Sequence, residues 1–286
     1  MKTILVLGST GMVGHMVCNH LSARKDFNVI NVAARKPLNS STILIDVTDK
    51  DSLVKFIKKE KIDIIINCVG ILLKGSKNNP ANAIYINAFL PHLLSSLVSE
   101  NNGKLIHIST DCVFSGIKGD YLPDDFKDAQ DIYGLSKSLG EIINEHDLTI
   151  RTSVIGPEIK DDGEGLLHWF LTQNGKINGY TDTYWTGITT LQLAKFILQS
   201  IDKNLTGLLQ YSNGCKISKY ELLRIFQKTW DKNNIEIIPI PGKNIDKSLI
   251  PTYPQTIFPV PDYQKMCDEL GFYMNNHPEL YGKYVL

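Results

Sequence analysis

The sequence has no surplus of either charge: Lys plus Arg and Asp plus Glu each total 30 in 286 residues. Nonspecific nucleic-acid binding usually leaves a basic excess, so the balance argues against nucleic acid as a partner. It leaves room for a local basic pocket that takes a phosphorylated small molecule. Cysteine is sparse and scattered: Cys18, Cys68, Cys112, Cys215 and Cys267, with no C-x-x-C and no Cys/His cluster. A disulfide framework and a structural zinc site both lack their spacing, so reduced thiols in a cytoplasm and no metal are expected. The apolar run at the N-terminus is too short for a signal peptide. No stretch approaches the ~18 apolar residues of a membrane span, so no membrane partner is expected. Internal repeats and low-complexity tails are also missing.

What is present is a regular alternation. Continuous apolar, β-branched runs at 3–8, 28–33, 41–47, 62–70, 104–109 and 148–154 read as buried strands. Helical patterns fall between them at 12–24, 50–60, 81–100 and 131–146, and Pro91 kinks or divides the third. Strands and helices in this order imply right-handed crossovers and a Rossmann-type, doubly wound parallel α/β sheet. After Pro157 the pattern loosens. Helices are expected at 165–173, 191–201 and 219–230, strands at 207–212 and 235–241, and a last helix from Asp262. Prolines gather here, from Pro239 to Pro261. The expected division is a dinucleotide-binding domain over 1–156, with 187–212 returning to it. A smaller C-terminal substrate-binding lobe takes 157–186 and 213–286.

The first strand-to-helix turn reads Gly8-Ser9-Thr10-Gly11-Met12-Val13-Gly14, the spacing G-x-x-G-x-x-G. Glycines let backbone N–H groups approach a pyrophosphate, and the helix N-terminus adds partial positive charge. The spacing alone is weak; the strand before it and the helix after it supply the required context. At the end of the second strand, an acid would bond a ribose 2′-OH. The sequence instead has Ala33-Ala34-Arg35-Lys36. Arg35 is therefore a candidate clamp for a 2′-phosphate, which favours NADPH while leaving NADH open. The alternative is a solvated arginine at a loop edge. Asp46 either accepts from an adenine amino group or caps the helix at 50–60.

"HIST", at the end of the fifth run, puts Ser109 and Thr110 where ligands bind on open α/β sheets, at the carboxyl ends of the strands. Tyr133 and Lys137, four apart on an expected helix, share one face. An ammonium beside a phenol lowers its pKa from about 10 and makes Tyr133 a usable proton donor. Thr110 then holds the substrate oxygen. His107 reads as a packed histidine. The cluster Asp124, Asp125, Asp128 and Asp131 reads as a solvated loop, with Asp131 capping the next helix.

The glycine turn, Thr110 and Tyr-x-x-x-Lys together resemble the extended short-chain dehydrogenases/reductases. "HISTDCVFSGIKGDY", "YGLSK" and "IRTSVIGP" are most similar to its dTDP-4-dehydrorhamnose reductase-like members, over residues 1–212. The resemblance implies a reductase for the 4-keto group of a dTDP- or UDP-linked deoxysugar. In it Thr110 polarises the keto group, Tyr133 protonates the alkoxide, and Lys137 binds the nicotinamide ribose and tunes Tyr133. It implies cofactor contacts from Gly8, Thr10, Gly11, Met12, Val13, Gly14, Arg35, Asp46 and Val47. Cys68, Val69 and Gly70 pass beneath the cofactor, and "SVIGP" (153–157) lies near the nicotinamide. The sugar is expected against Thr110, Asp111, Cys112, Tyr133, Trp185 and Thr186. Trp185 stacks on the ligand or is a core aromatic; Cys112 is a second acid, a redox-sensitive thiol or a packing residue. Two departures bear on substrate choice: a proline usual before the tyrosine is absent from "DAQDIYG", and "NCVGILLKGS" is less polar than the family's stretch. An NAD-dependent epimerase or dehydratase, and a nonenzymatic regulatory subunit, are the competing functions. An isologous homodimer through the helices at 81–100 and 131–146 is a further expectation.

Overall fold

A computed structural model describes residues 1–284; residues 285 and 286, the end of the expected segment 213–286, lie outside the described residues. The chain divides into two units: 1–114, 126–151 and 194–209 form the first, and 115–125, 152–193 and 210–286 the second. The elements in order are β1 (Lys2–Leu7), α1 (Gly14–Ser22), β2 (Phe27–Ala33), β3 (Ile43–Leu44), α2 (Lys50–Glu60) and β4 (Ile64–Asn67). Next come α3 (Leu73–Asn78), α4 (Pro80–Ile84), a π-helical turn (Tyr85–Phe89), α5 (Leu90–Ser99), β5 (Lys104–Thr110) and α6 (Ile132–Leu139). They are followed by β6 (Leu148–Thr152), β7 (Val154–Ile155), α7 (Leu166–Leu171), β8 (Gly175–Tyr180), β9 (Thr183–Trp185) and β10 (Ile188–Thr189). The chain continues through α8 (Thr190–Asp202), β11 (Gly207–Gln210), β12 (Ile217–Ser218), α9 (Lys219–Thr229), β13 (Ile235–Ile240) and β14 (Ile245–Asp246). It ends with α10 (Tyr263–Asn275) and α11 (Pro278–Tyr281).

The first unit is built on a seven-stranded sheet in the order β11-β6-β5-β4-β1-β2-β3. Strand order reverses at β1, which pairs in parallel with both β2 and β4. This is the doubly wound α/β arrangement expected from the alternation. Strands such as Ile64–Asn67 are buried along their whole length, because helices cover both faces. One face packs Leu5, Leu7, Ile65 and Leu105 against Leu53 and Ile57 of α2 and Leu90 and Leu94 of α5.

Three elements differ from the sequence reading. The strand expected at 41–47 pairs only over Ile43–Leu44. The Thr42 hydroxyl accepts from the N–H groups of Leu38 and Asn39 before it, and Asp46 binds Thr48 after it, so local turns claim the flanks. The helix expected at 131–146 ends at Leu139. Gly140 closes it, and Glu141 leaves the helical path to bind Arg151. The helix expected at 81–100 contains the π-helical turn Tyr85–Phe89 just before Pro91. Proline has no N–H to give back to residue 87, so the regular ladder breaks there. This same stretch corrects the expectation about membrane-length segments: Pro80–Ser99 is 20 residues with mean hydropathy 1.2. Half of it is buried, with Leu90, Leu94 and Val98 in the core, which makes it a core helix.

The second unit carries smaller sheets: β7 with β10, β12-β9-β14, and β8 with β13. Parallel pairing of β8 and β13 runs from Gly175↔Ile235 to Tyr180↔Ile240. Ser218 and Glu221 form a reciprocal capping box that starts α9.

Candidate active site at the strand ends of the first unit

The first turn is cut to fit a backbone ligand. Gly8 has φ +81°, and a Cβ on Gly14 would stand 2.1 Å from the Gly8 carbonyl oxygen. Only glycine permits that approach, which brings the start of α1 against the turn. No side chain caps the α1 N-terminus. Among the described residues the buried Ser9 hydroxyl there has no hydrogen-bond partner. A helix N-terminus without a side-chain cap, a glycine cradle and an orphaned hydroxyl together fit the pyrophosphate of a dinucleotide. Thr10 is nearly buried in this turn, and Gly11 donates to the Gly8 carbonyl at 2.9 Å. Met12 and Val13 are half-buried.

The β4 end passes directly below. Cys68 donates to Leu7 O at 3.1 Å, and a Cβ on Gly8 would meet Val69 Cγ2 at 3.1 Å. Gly70 is exposed just beyond. Burial pushes the Cys68 thiol up to about 12, so it stays protonated. At the rim, Arg35 is exposed. Asp46 accepts from the Thr48 N–H and hydroxyl at 2.9 and 2.7 Å. Those bonds, with a smaller contribution from nearby Arg35, hold its carboxyl below the usual range. Asp46 does not cap α2; Asp49 does, accepting from Ser52 N–H at 3.2 Å. Val47 is buried and its carbonyl accepts from the Tyr85 hydroxyl at 3.4 Å.

The reactive group of side chains stands at the end of β5. Thr110 Oγ1 accepts from Cys112 N–H at 3.1 Å and donates to Asp111 Oδ1 at 3.0 Å, which turns the chain sharply over 111–113. α6 starts with Asp131 accepting from Gly134 N–H at 2.9 Å, the cap read from the sequence. A Cβ on Gly134 would sit 2.3 Å from Cys112 O, so the glycine of "YGLSK" lets the first turn of α6 press against 111–113. Tyr133 thereby stands beside Thr110, Asp111 and Cys112. Burial raises the Tyr133 pKa above its ordinary 10, the partly buried Cys112 adds to the rise, and a hydrogen bond with Thr110 opposes it. This corrects the expectation that Lys137 lowers it. Lys137 Nζ instead lies below, 2.6 Å from Ile108 O and 3.3 Å from His107 Nε2. Burial draws Lys137 itself down to about 8, against the opposing charge of Glu141.

Ser109, next to Thr110, faces elsewhere. It donates to Glu141 Oε1 at 2.7 Å, inside a buried cluster with Arg151 and Lys127. Sequence reasoning assigned no role to Asn67, to His107 beyond that of a packed histidine, or to Gly134. Two polar residues in otherwise apolar strand runs, "IIINC" and "LIHIS", are the signal that marks the first two.

Trp185 and Thr186 belong to the second unit. Trp185 is 4% exposed; its Nε1 donates to Ser153 Oγ at 2.6 Å, and Tyr263 and Lys219 lie against its ring. It is a core aromatic of that unit. Thr186 is buried and its hydroxyl accepts from Leu249 N–H at 2.7 Å. Among the described residues no group of three or more His, Cys, Asp and Glu is placed to hold a metal.

A reversing parallel sheet with a glycine turn at its first strand and Thr, Tyr and Lys at its strand ends defines a nucleotide-binding fold of the NAD(P)-dependent reductase and epimerase class. Within that class, the chain belongs to the family of the RmlD substrate binding domain, whose model matches residues 1–250. It is 26% identical to a dTDP-4-dehydrorhamnose reductase of Mycolicibacterium smegmatis over 232 residues, 78% of this chain and 68% of that one. It is also 26% identical to a probable low-salt glycan biosynthesis reductase of Haloferax volcanii, over 71% of each chain. A dTDP-4-dehydrorhamnose reductase of Bacillus anthracis, crystallised in complex with NADP, superposes with TM-score 0.81 at 18% identity, over 96% of this chain and 99% of that one.

Proposed function

We propose that this protein is an NADPH-dependent reductase of the 4-keto group of a nucleotide-linked deoxysugar, working in the cytoplasm on deoxysugar or polysaccharide precursors. The observation that carries the reading is Tyr133 standing beside Thr110 at the end of β5, on one helix face with buried Lys137. The glycine turn, Ser9 and the α1 N-terminus hold the pyrophosphate, and Arg35 holds the 2′-phosphate beside Asp46. Val47 and Cys68 to Gly70 line the cofactor's path. The bound nicotinamide supplies hydride to the carbonyl carbon. Thr110 turns its O–H from Asp111 Oδ1 to donate a hydrogen bond to the carbonyl oxygen, and Tyr133 gives that oxygen its proton. Lys137 binds the ribose. Asp111 and Cys112 border the sugar, Cys112 as a small neighbour of Tyr133. The second unit supplies the substrate-binding lobe, with Trp185 and Thr186 shaping it from within.

The test is a panel of nucleotide-linked 4-keto sugars with NADPH, followed by cofactor oxidation and product analysis. Stoichiometric NADPH consumption with a 4-hydroxy product is expected. Tightly copurifying NAD, with sugar interconversion and no net cofactor use, would establish an epimerase or dehydratase instead. We also propose a homodimer through α4 to α6, where Ile84, Phe89, Leu135 and Leu139 are exposed. Light scattering at micromolar protein tests it, and a monomeric mass rejects it.

A further inference from the structure

The imidazole of His107 takes no part in the steps above, yet it is fully buried against Lys137. It stands on β5 next to its register partner Asn67 on β4. Its Nδ1 lies 3.2 Å from Asn67 Nδ2, and its Nε2 lies 3.3 Å from Lys137 Nζ. The Asn67 amide is oriented from the other side, since its Oδ1 accepts from the Val69 N–H at 3.1 Å. An amide nitrogen has only protons to give, so His107 Nδ1 is the bare, accepting nitrogen. Burial, then the charges of Lys137 and His92, hold the ring well below its ordinary pKa, so it is neutral. A neutral imidazole carries one proton, and here it falls on Nε2, facing Lys137. An ammonium has no lone pair to receive that N–H; an amine does. The same amine still donates to Ile108 O at 2.6 Å.

We propose that His107 is a positioning residue for Lys137: with its proton kept on Nε2 by Asn67, it hydrogen-bonds the Lys137 amine and disfavours the ammonium. The inference rests on the reading of Tyr133 as the proton donor. Whenever the Lys137 ammonium releases its proton, the amine left behind receives the His107 N–H, and a proton from solvent regenerates the ammonium. The other titratable groups facing the pair are Glu141 and Cys68 toward Lys137 and His92 toward His107. Glu141 favours the ammonium but is itself engaged by Arg151, and Cys68 is a neutral thiol.

The first test needs no substrate. In protein carrying 15N-labelled histidine, long-range proton–nitrogen correlation reads the tautomer of each ring, with His107 assigned by the signals missing from His107→Gln. His107 is expected as an Nε2–H ring that does not titrate across the neutral range. An Nδ1–H ring overturns the proposal. The second test is Asn67→Asp, which sets an acceptor against Nδ1 and should move the proton there. Nε2 then accepts from the ammonium, and the Lys137 midpoint, read from its 13Cε shift, should rise by about one unit or more, a tenfold gain in proton affinity. A Lys137 midpoint that stays in place after the tautomer has switched overturns the proposal. The alkaline limb of kcat/KM against pH is expected to move with that midpoint, and a fixed limb removes His107 from the turnover role. The two spectroscopic readings use protein alone, so they stand or fall separately from the identity of the sugar substrate.

Discussion

Two buried charges lie about one helical turn apart in sequence, and the protein treats them oppositely. Glu141 is buried, which by itself raises a carboxyl pKa. Two hydrogen bonds from Arg151 at 2.8 Å, one from Ser109 and the charge of Lys127 outweigh that, and its pKa falls. Among the described residues the hydrogen-bond partners of Lys137 are a backbone carbonyl and an imidazole, and burial outweighs the charge of Glu141. A buried charge surrounded by complementary partners is locked in one protonation state. A buried charge left short of them is poised to change state, and that is the property a proton-transfer site needs. The contrast separates a structural cluster from a chemical one although both hang from β5, through Ser109 and through His107 with Thr110.

The contrast can be broken at either end. The largest effect is expected at the poised end. Tyr133→Phe removes the proton donor and keeps the ring, so turnover should fall by about 10²–10⁴-fold with NADPH affinity nearly unchanged. Lys137→Met should cost more, because the ribose contact goes too, and Thr110→Val should cost less than either. Steady-state kinetics on the confirmed substrate checks the series; near-normal turnover in Tyr133→Phe rejects the proton-donor role. At the locked end, Glu141→Gln leaves Arg151, 1% exposed, facing a neutral amide. Removing one partner of a buried pair typically costs about 3–5 kcal/mol, read as a lower denaturant midpoint.

Arg35 sharpens the comparison from outside, as an exposed charge whose partner is a ligand. Arg35→Ala should weaken NADPH by roughly ten- to hundredfold, the worth of a charge-assisted phosphate contact, and spare NADH. Equal losses for both cofactors, measured by fluorescence titration, would reject the clamp. The smallest effect concerns stability. Lys137 releases its proton near 8 when folded and at its ordinary 10.5 when unfolded. Between those values the unfolded chain binds the extra proton, so this residue makes the folded state more stable as pH rises through the window. Below it, the buried ammonium is a liability. Lys137→Met should therefore raise stability at neutral pH by about 1–2 kcal/mol. The gain should vanish toward the top of the window in thermal melts repeated across pH.

The sequence by itself determined the fold class. Apolar runs such as "TILVLG" and "IDIIIN" demand cover on both faces, and helices between them supply it. It also determined the chemistry available: glycine spacing and a Tyr-x-x-x-Lys repeat are local, and local spacing survives folding. Tertiary structure decided the rest. Where α6 ends depends on Glu141 finding Arg151, and how far β3 pairs depends on turns formed by Thr42 and Asp46. Whether Trp185 meets solvent depends on Tyr263 and Lys219, which are far away in the chain. Above all, the charge states of Tyr133 and Lys137 were not legible. A neighbour four residues away predicted a lowered phenol pKa. The actual direction is set by burial, under strands that reach the site only when the sheet assembles.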